Sequence, residues 1–89
     1  MPERIVTVVP EDGLHARPAS VFVETANEFD AEIRVGPEDG DMVNAASMLA
    51  VTGLGVSGGE NVRLSAEGDD AEEALDALEE VLSTPEDEL

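Results

Sequence analysis

The chain has 89 residues, with 22 Asp and Glu set against 4 Arg, no Lys and one His, for a formal net charge of −18 at pH 7. That balance excludes a nucleic acid or other polyanion as partner, and the absence of Cys together with a lone His excludes disulfides, thiolate metal sites and an imidazole metal cluster. Apolar residues make up 42% and aromatics only 2%, so one modest core of aliphatic side chains and two Phe is expected, in one domain spanning residues 1–89.

Glu3 to Val9 is rich in β-branched residues and predicts a strand with Val6 and Val8 inward, closed by a turn at Pro10-Glu11-Asp12-Gly13. Ala19, Phe22, Val23, Ala26 and Phe29 recur at helical spacing, which predicts an amphipathic helix over about 16–29, with its first residue between Ala16 and Pro18. Ala31, Ile33 and Val35 alternate with Glu32 and Arg34 as a half-buried strand, and a turn at 37–41 leads to a short strand from Met42 to Ala45. Ser47 is placed to N-cap a short helix that Gly53 ends. Val62, Leu64 and Ala66 alternate as a further strand. The last helix carries the stripe Ala71, Ala74, Leu75, Leu78, Val81 and Leu82, with Asp69, Asp70, Glu72 and Glu73 at its positive end. The order βαββαβα with half-polar strands implies an α+β fold: one antiparallel sheet covered by helices on one face and wet on the other.

On so acidic a chain the stretches without acids are informative. Gly13 to Val23 holds the only His and Arg17, and Met42 to Gly59 has no charged residue. Burial alone accounts for much of both, but it accounts poorly for His15 and Arg17. His15 falls at or just before the first turn of the first helix, where backbone N–H groups lack partners, and Pro18 suits that turn because it has no N–H to leave unpaired. With His15 outside the helix, Arg17 can swing back towards the imidazole. The amides of Ala16 and Arg17, the helix dipole and the guanidinium would then converge where a phosphate could sit. Imidazole is largely neutral at pH 7, so its lone pair can attack phosphorus without a helper base. Other chemistries fit less well. Ser20 and Ser47 have no second His as base and no Gly-x-Ser-x-Gly elbow, and Asp39, Asp41, Asp69 and Asp70 lack the spacing of a calcium loop. No metal and no cofactor are expected.

The run Gly13-Leu14-His15-Ala16-Arg17-Pro18-Ala19 resembles the active-site signature of the HPr family, the histidine-containing phosphocarriers of the phosphoenolpyruvate-dependent sugar phosphotransferase system. Val43 to Leu49, Leu54-Gly55-Val56, Gly59 and Val62 to Gly68 extend the likeness over nearly the whole chain. The resemblance implies an HPr-like open-faced β-sandwich with a four-stranded sheet. It implies that His15 accepts phosphate from enzyme I and passes it to a IIA domain of a sugar permease, with Arg17 assisting. Ser20, Met48, Leu49 and Thr52 are the implied partner contacts, although one of Met48, Leu49 and Val51 is expected in the core. Ser47 matches a serine that a kinase modifies in some members. Two other roles are compatible with the same residues: a regulatory binding module of this fold, and a carrier serving a dihydroxyacetone kinase. The chain departs from its relatives in having no Lys around the histidine, so long-range attraction of an acidic partner is lost.

The chain has no apolar run long enough to cross a bilayer and no basic-then-apolar leader at Met1 to Pro10, so a cytoplasmic monomer without membrane insertion is expected. Spread over roughly 5,000 Å² of surface, its net charges lie about 17 Å apart, beyond the screening length at physiological salt but within it in dilute buffer. Such a composition suits a halophile, where molar salt quenches the repulsion. The melting temperature should therefore rise from low to molar KCl; a flat profile would contradict the salt-adapted assignment.

Overall fold

The computed structural model describes residues 2–11 and 13–89, so Asp12 of the predicted turn lies outside the described residues. In chain order the elements are β1 (Glu3–Thr7), α1 (Ala16–Ala26), β2 (Glu32–Pro37), β3 (Val43–Asn44), α2 (Met48–Thr52), β4 (Asn61–Glu67) and α3 (Ala71–Leu82), followed by a 3₁₀ turn at Glu86–Glu88. The strands form one sheet in the order β1-β4-β2-β3, and every neighbouring pair is antiparallel.

Period-two alternation sets the faces of this sheet. Val62, Leu64 and Ala66 of β4 point inward and pair across with Val6 of β1 and with Val35 and Ile33 of β2. Ala19, Phe22 and Ala26 of α1 and the α3 stripe from Ala71 to Leu82 close over them, and the resulting core is almost entirely aliphatic. The opposite face stays open, with Ile5 half exposed among Thr7, Arg34 and Asn61. The surface area of 4763 Å² agrees with the scaling from chain length.

The ends of several elements differ from the sequence expectation, each for a local reason. β1 stops at Thr7 because Val9 turns its N–H to the Leu82 carbonyl at 2.8 Å, although Val8 still bonds to Glu60 and Gly59. α1 stops at Ala26 rather than near Phe29, since after the Asn27 N–H bonds to Val23 the next amides donate only three residues back, Glu28 to Thr25 and Phe29 to Ala26. β3 keeps two residues of the expected four because the Asn44 side chain accepts from the Ala46 N–H at 2.9 Å and turns the chain towards α2. Ser47 caps α2 as its spacing suggests, accepting from the Ala50 N–H at 3.2 Å. Asp70 does more than complement a dipole. Its two carboxylate oxygens accept from the Asp30 and Ala31 amides, each at 2.9 Å, and so tie the entry of β2 to the start of α3.

Arg4 fastens the edge strand to the helical layer. It lies on the covered side of β1 and bridges Glu72, Asp76 and Glu79, one α3 turn after another, and these carboxylates hold its pKa above the ordinary guanidinium value, hydrogen bonding to Asp76 being the largest cause. Removing the cation would leave three carboxylates facing one another without a counter-charge. Arg4→Gln should therefore lower the melting temperature, and the loss should be larger in dilute buffer than in molar KCl, as thermal melts of the two proteins at both salt levels would show.

Candidate functional site

Two backbone segments meet to present His15. Gly13 adopts φ +72, its N–H donates to the Pro10 carbonyl at 2.9 Å, and a side chain there would collide with the Val56 carbonyl. Gly58 stands in the reciprocal position, where a side chain would strike the carbonyls of Pro10 and Glu11. Only glycine at 13 and at 58 lets these two segments lie this close. Leu14 then donates its N–H to Val56 at 3.2 Å and sinks its side chain into the core, so the next residue, His15, must face outward.

His15 is exposed and is the N-cap residue of α1, in extended backbone. Its ring makes no hydrogen bond among the described residues, which leaves both ring nitrogens open to solvent. Ala16, the first helical residue, carries φ +51, the one non-glycine residue with positive φ among those described. An L side chain there costs on the order of 1 kcal/mol, offset by the anchors on either side, Leu14 before it and the buried Pro18 and Ala19 after it. The Arg17 N–H finds no acceptor among the described residues, so the start of α1 offers the free amide that the sequence pattern suggests.

The Arg17 side chain goes elsewhere than expected. It does not fold back on the imidazole; its Nη1 donates to the main-chain oxygen of Leu89 at 2.8 Å, because the chain beyond α3 curls back across the start of α1. A hollow of about 550 Å³ lies there, lined by Glu11, Arg17, Pro85 and Asp87. Nothing in the sequence periodicity places residues 85–89 beside Arg17, since the contact is made by a main-chain oxygen after the last amphipathic stripe has ended.

Among the other candidate residues, Leu49 is 85% exposed and Met48 41%, whereas Val51 is fully buried and holds α2 to the core. Thr52 turns its hydroxyl back to the carbonyls of Met48 and Leu49, which leaves its methyl as the contact it can offer. Ser20 is half-buried on α1. Asn27 braces the two helices, with its amide reaching both Val23 and, at 3.3 Å, the Ala46 carbonyl just before α2. No group of three or more His, Cys, Asp or Glu positioned to hold a metal occurs among the described residues, and no helix is long and apolar enough to cross a membrane.

This fold and this outward histidine at a helix start define a small open-faced sandwich of the phosphocarrier class. A solved structure of HPr from Thermoanaerobacter tengcongensis superposes with a TM-score of 0.87 at 48% identity, covering 92% of this chain and 91% of that one. A Crh structure from Bacillus subtilis, described as a swapped dimer, gives 0.71 at 40% identity over 92% and 93%. The family model for the PTS HPr component phosphorylation site matches residues 2–84, and the phosphocarrier protein HPr of Haloferax volcanii is 75% identical over 94% of this chain and 96% of its own length. The chain belongs to the HPr family of phosphocarrier proteins of the phosphotransferase system. Its acid-rich composition accords with the Haloferax relative and with a halophile origin.

The strain at Ala16 gives a test of the local geometry. Ala16→Gly should leave the fold intact and raise stability by about 0.5–1 kcal/mol in urea denaturation, because glycine adopts this φ without steric cost, whereas Ala16→Val should destabilise it.

Proposed function

We propose that the chain carries a phosphoryl group on His15, accepted from enzyme I and passed to the IIA domain of a sugar permease. The observation that carries this reading is an exposed imidazole, without a hydrogen bond among the described residues, at the amide-rich start of α1. A ring-nitrogen lone pair attacks phosphorus as the bond to the donor breaks, and the departing electron pair stays with the donor. The other ring nitrogen then releases its proton to solvent; in the onward step it is protonated again, a nucleophile of the acceptor bonds to phosphorus as the N–P bond breaks, and the bond's electron pair remains on the imidazole, which leaves neutral. The amides of Ala16 and Arg17 and the Arg17 guanidinium hold the phosphoryl oxygens while charge moves. The chain thus acts as a co-substrate of transferases.

Docking in this reading uses Ser20, Met48, Leu49 and the Thr52 methyl. The exposure of Leu49 supports it, as does the absence of charge from 42 to 59. Since no Lys surrounds the site, apolar contact and hydrogen bonds replace electrostatic steering. Residues 1–89 act as one domain, as a monomer in the cytoplasm.

Incubation with phosphoenolpyruvate and enzyme I should give acid-labile phosphate on one histidine, lost in His15→Ala and formed more slowly in Arg17→Gln. Enzyme I binding should change little, or strengthen, between low and molar salt. Marked weakening with salt would show that charge steers docking after all.

A second reading, a regulatory module, draws on the 42% identity to the HPr-like protein Crh of Halalkalibacterium halodurans and on Ser47 at the cap of α2. Phosphate on Ser47 would place about two negative charges beside Met48 and Leu49. Transfer of the phosphoryl group from His15 to a IIA domain supports the carrier; a phosphorylated chain that no IIA domain discharges supports the regulator.

A further inference from the structure

The uncovered face of the sheet holds a buried hydroxyl with nothing to bond. Val62, Leu64 and Ala66 of β4 face the core, so Ser65 between them faces the other way, onto the side that no helix covers. It is nevertheless only 3% exposed, with Glu3 of β1 and Arg34 of β2 directly opposite it on either side. The Ser65 hydroxyl makes no hydrogen bond among the described residues, a costly condition for a buried polar group because its lost hydration is not replaced. It borders a hollow of about 240 Å³ lined by Glu32, Arg34, Ser65 and Glu67. Glu32 and Glu67 are register partners across β2 and β4, and like charges directly opposite each other cost stability unless something lies between them. Arg34 answers only one of them, with Nη2 donating to Glu32 Oε1 at 2.9 Å, and Glu67 has no ion pair among the described residues.

We propose that this hollow binds one alkali cation, held by the Glu67 carboxylate, the Glu32 oxygen that Arg34 does not engage and the Ser65 hydroxyl. The charges select the class of ligand. Glu32 and Arg34 cancel, so the lining residues keep one formal negative charge, that of Glu67, which a single monovalent ion neutralises. A calcium-like ion draws on several carboxylates, and no group of three or more acids positioned to hold a metal occurs among the described residues. The unengaged donors are all oxygens, which suit a hard cation. At about 30 Å³ per water, the hollow has room for the ion and several of its own waters, which complete its coordination. Such an ion ties β2 to β4 and separates two carboxylates that otherwise repel. Part of the dependence of stability on salt is then a binding event, distinct from general screening. No metal motif marks the place in the sequence, because its carboxylates come from different strands and meet only through the register of the sheet.

Thallium(I), an NMR-active stand-in for potassium, reads the site directly when thallium nitrate is titrated at an ionic strength held constant with tetramethylammonium nitrate. The thallium shift should follow a saturable one-site curve that potassium or sodium nitrate reverses. Ser65→Ala and Glu67→Gln should each weaken binding by roughly fivefold or more, the scale of one hydrogen-bond-sized contact. Glu24→Gln, which removes an exposed acid on α1, should leave it unchanged. Ser65→Ala deletes a group without a partner, so its fold should survive, as circular dichroism would verify, and the test does not depend on Glu67→Gln folding. At equal ionic strength the parent should melt higher in potassium or sodium chloride than in tetramethylammonium chloride, and the gap should shrink in Ser65→Ala. Equal melts in the three salts, a thallium response unchanged by Ser65→Ala, or displacement of thallium by magnesium at lower concentration than by potassium or sodium overturns the site. None of these readouts depends on His15.

Discussion

A sheet with one apolar face must be covered, and in this chain almost everything else follows from how α1 and α3 meet that need. With two Phe and no Trp or Tyr, the covering surface is made of Leu, Val, Ala and Ile, whose dispersion contacts are strong only when packing is close. Phe22, Leu75, Leu78 and Leu82 are fully enclosed between helices and sheet. α1 is thereby held by its buried stripe, and its first turn is carried to the rim of the layer, where His15 meets solvent. The site is a boundary feature of the core: Leu14 and Pro18 are inside and the residues between them are outside.

Charge works against this arrangement and also shapes it. The acids lie mainly on the solvent side of α3 and in the turns, while the apolar and uncharged surface from Met42 to Gly59 is kept clear. A carrier that must be gripped and released by larger proteins benefits from an apolar contact patch whose strength survives molar salt, whereas paired charges would be screened. Of the four arginines, Arg4 and Arg34 are paired with carboxylates, Arg63 is bonded to the Glu38 carbonyl and Arg17 to the main-chain oxygen of Leu89. None is a spare surface charge, so the positive groups of this chain serve particular contacts.

The order of elements, the inward residues of β1, β2 and β4, the α3 stripe and the cap and stop of α2 were all legible in the sequence, because each is written by a local period or a local hydrogen bond. His15 and Arg17 were legible for a different reason: on an acidic chain, a His and an Arg at the opening of a helix stand out chemically. Element ends were less legible. They are decided by backbone groups finding partners far along the chain, such as Val9 at Leu82, or by side chains such as Asn27 and Asn44 that divert the backbone. The partner of Arg17 and the two hydrogen bonds that Asp70 accepts from the Asp30 and Ala31 amides were not legible, since both join a side chain to backbone groups remote in sequence, which no periodicity encodes.

The facing glycines at 13 and 58 bear on how such a protein can adapt. Because Pro10, Glu11, Gly13 and Leu14 meet Val56, Ser57 and Gly58 main chain to main chain, the imidazole that follows Leu14 is placed by peptide groups. Lysines can be exchanged for acids over the rest of the exterior without shifting the ring of His15. One lineage can thus be recoloured for brine and another for fresh water around an unchanged hinge of peptide groups.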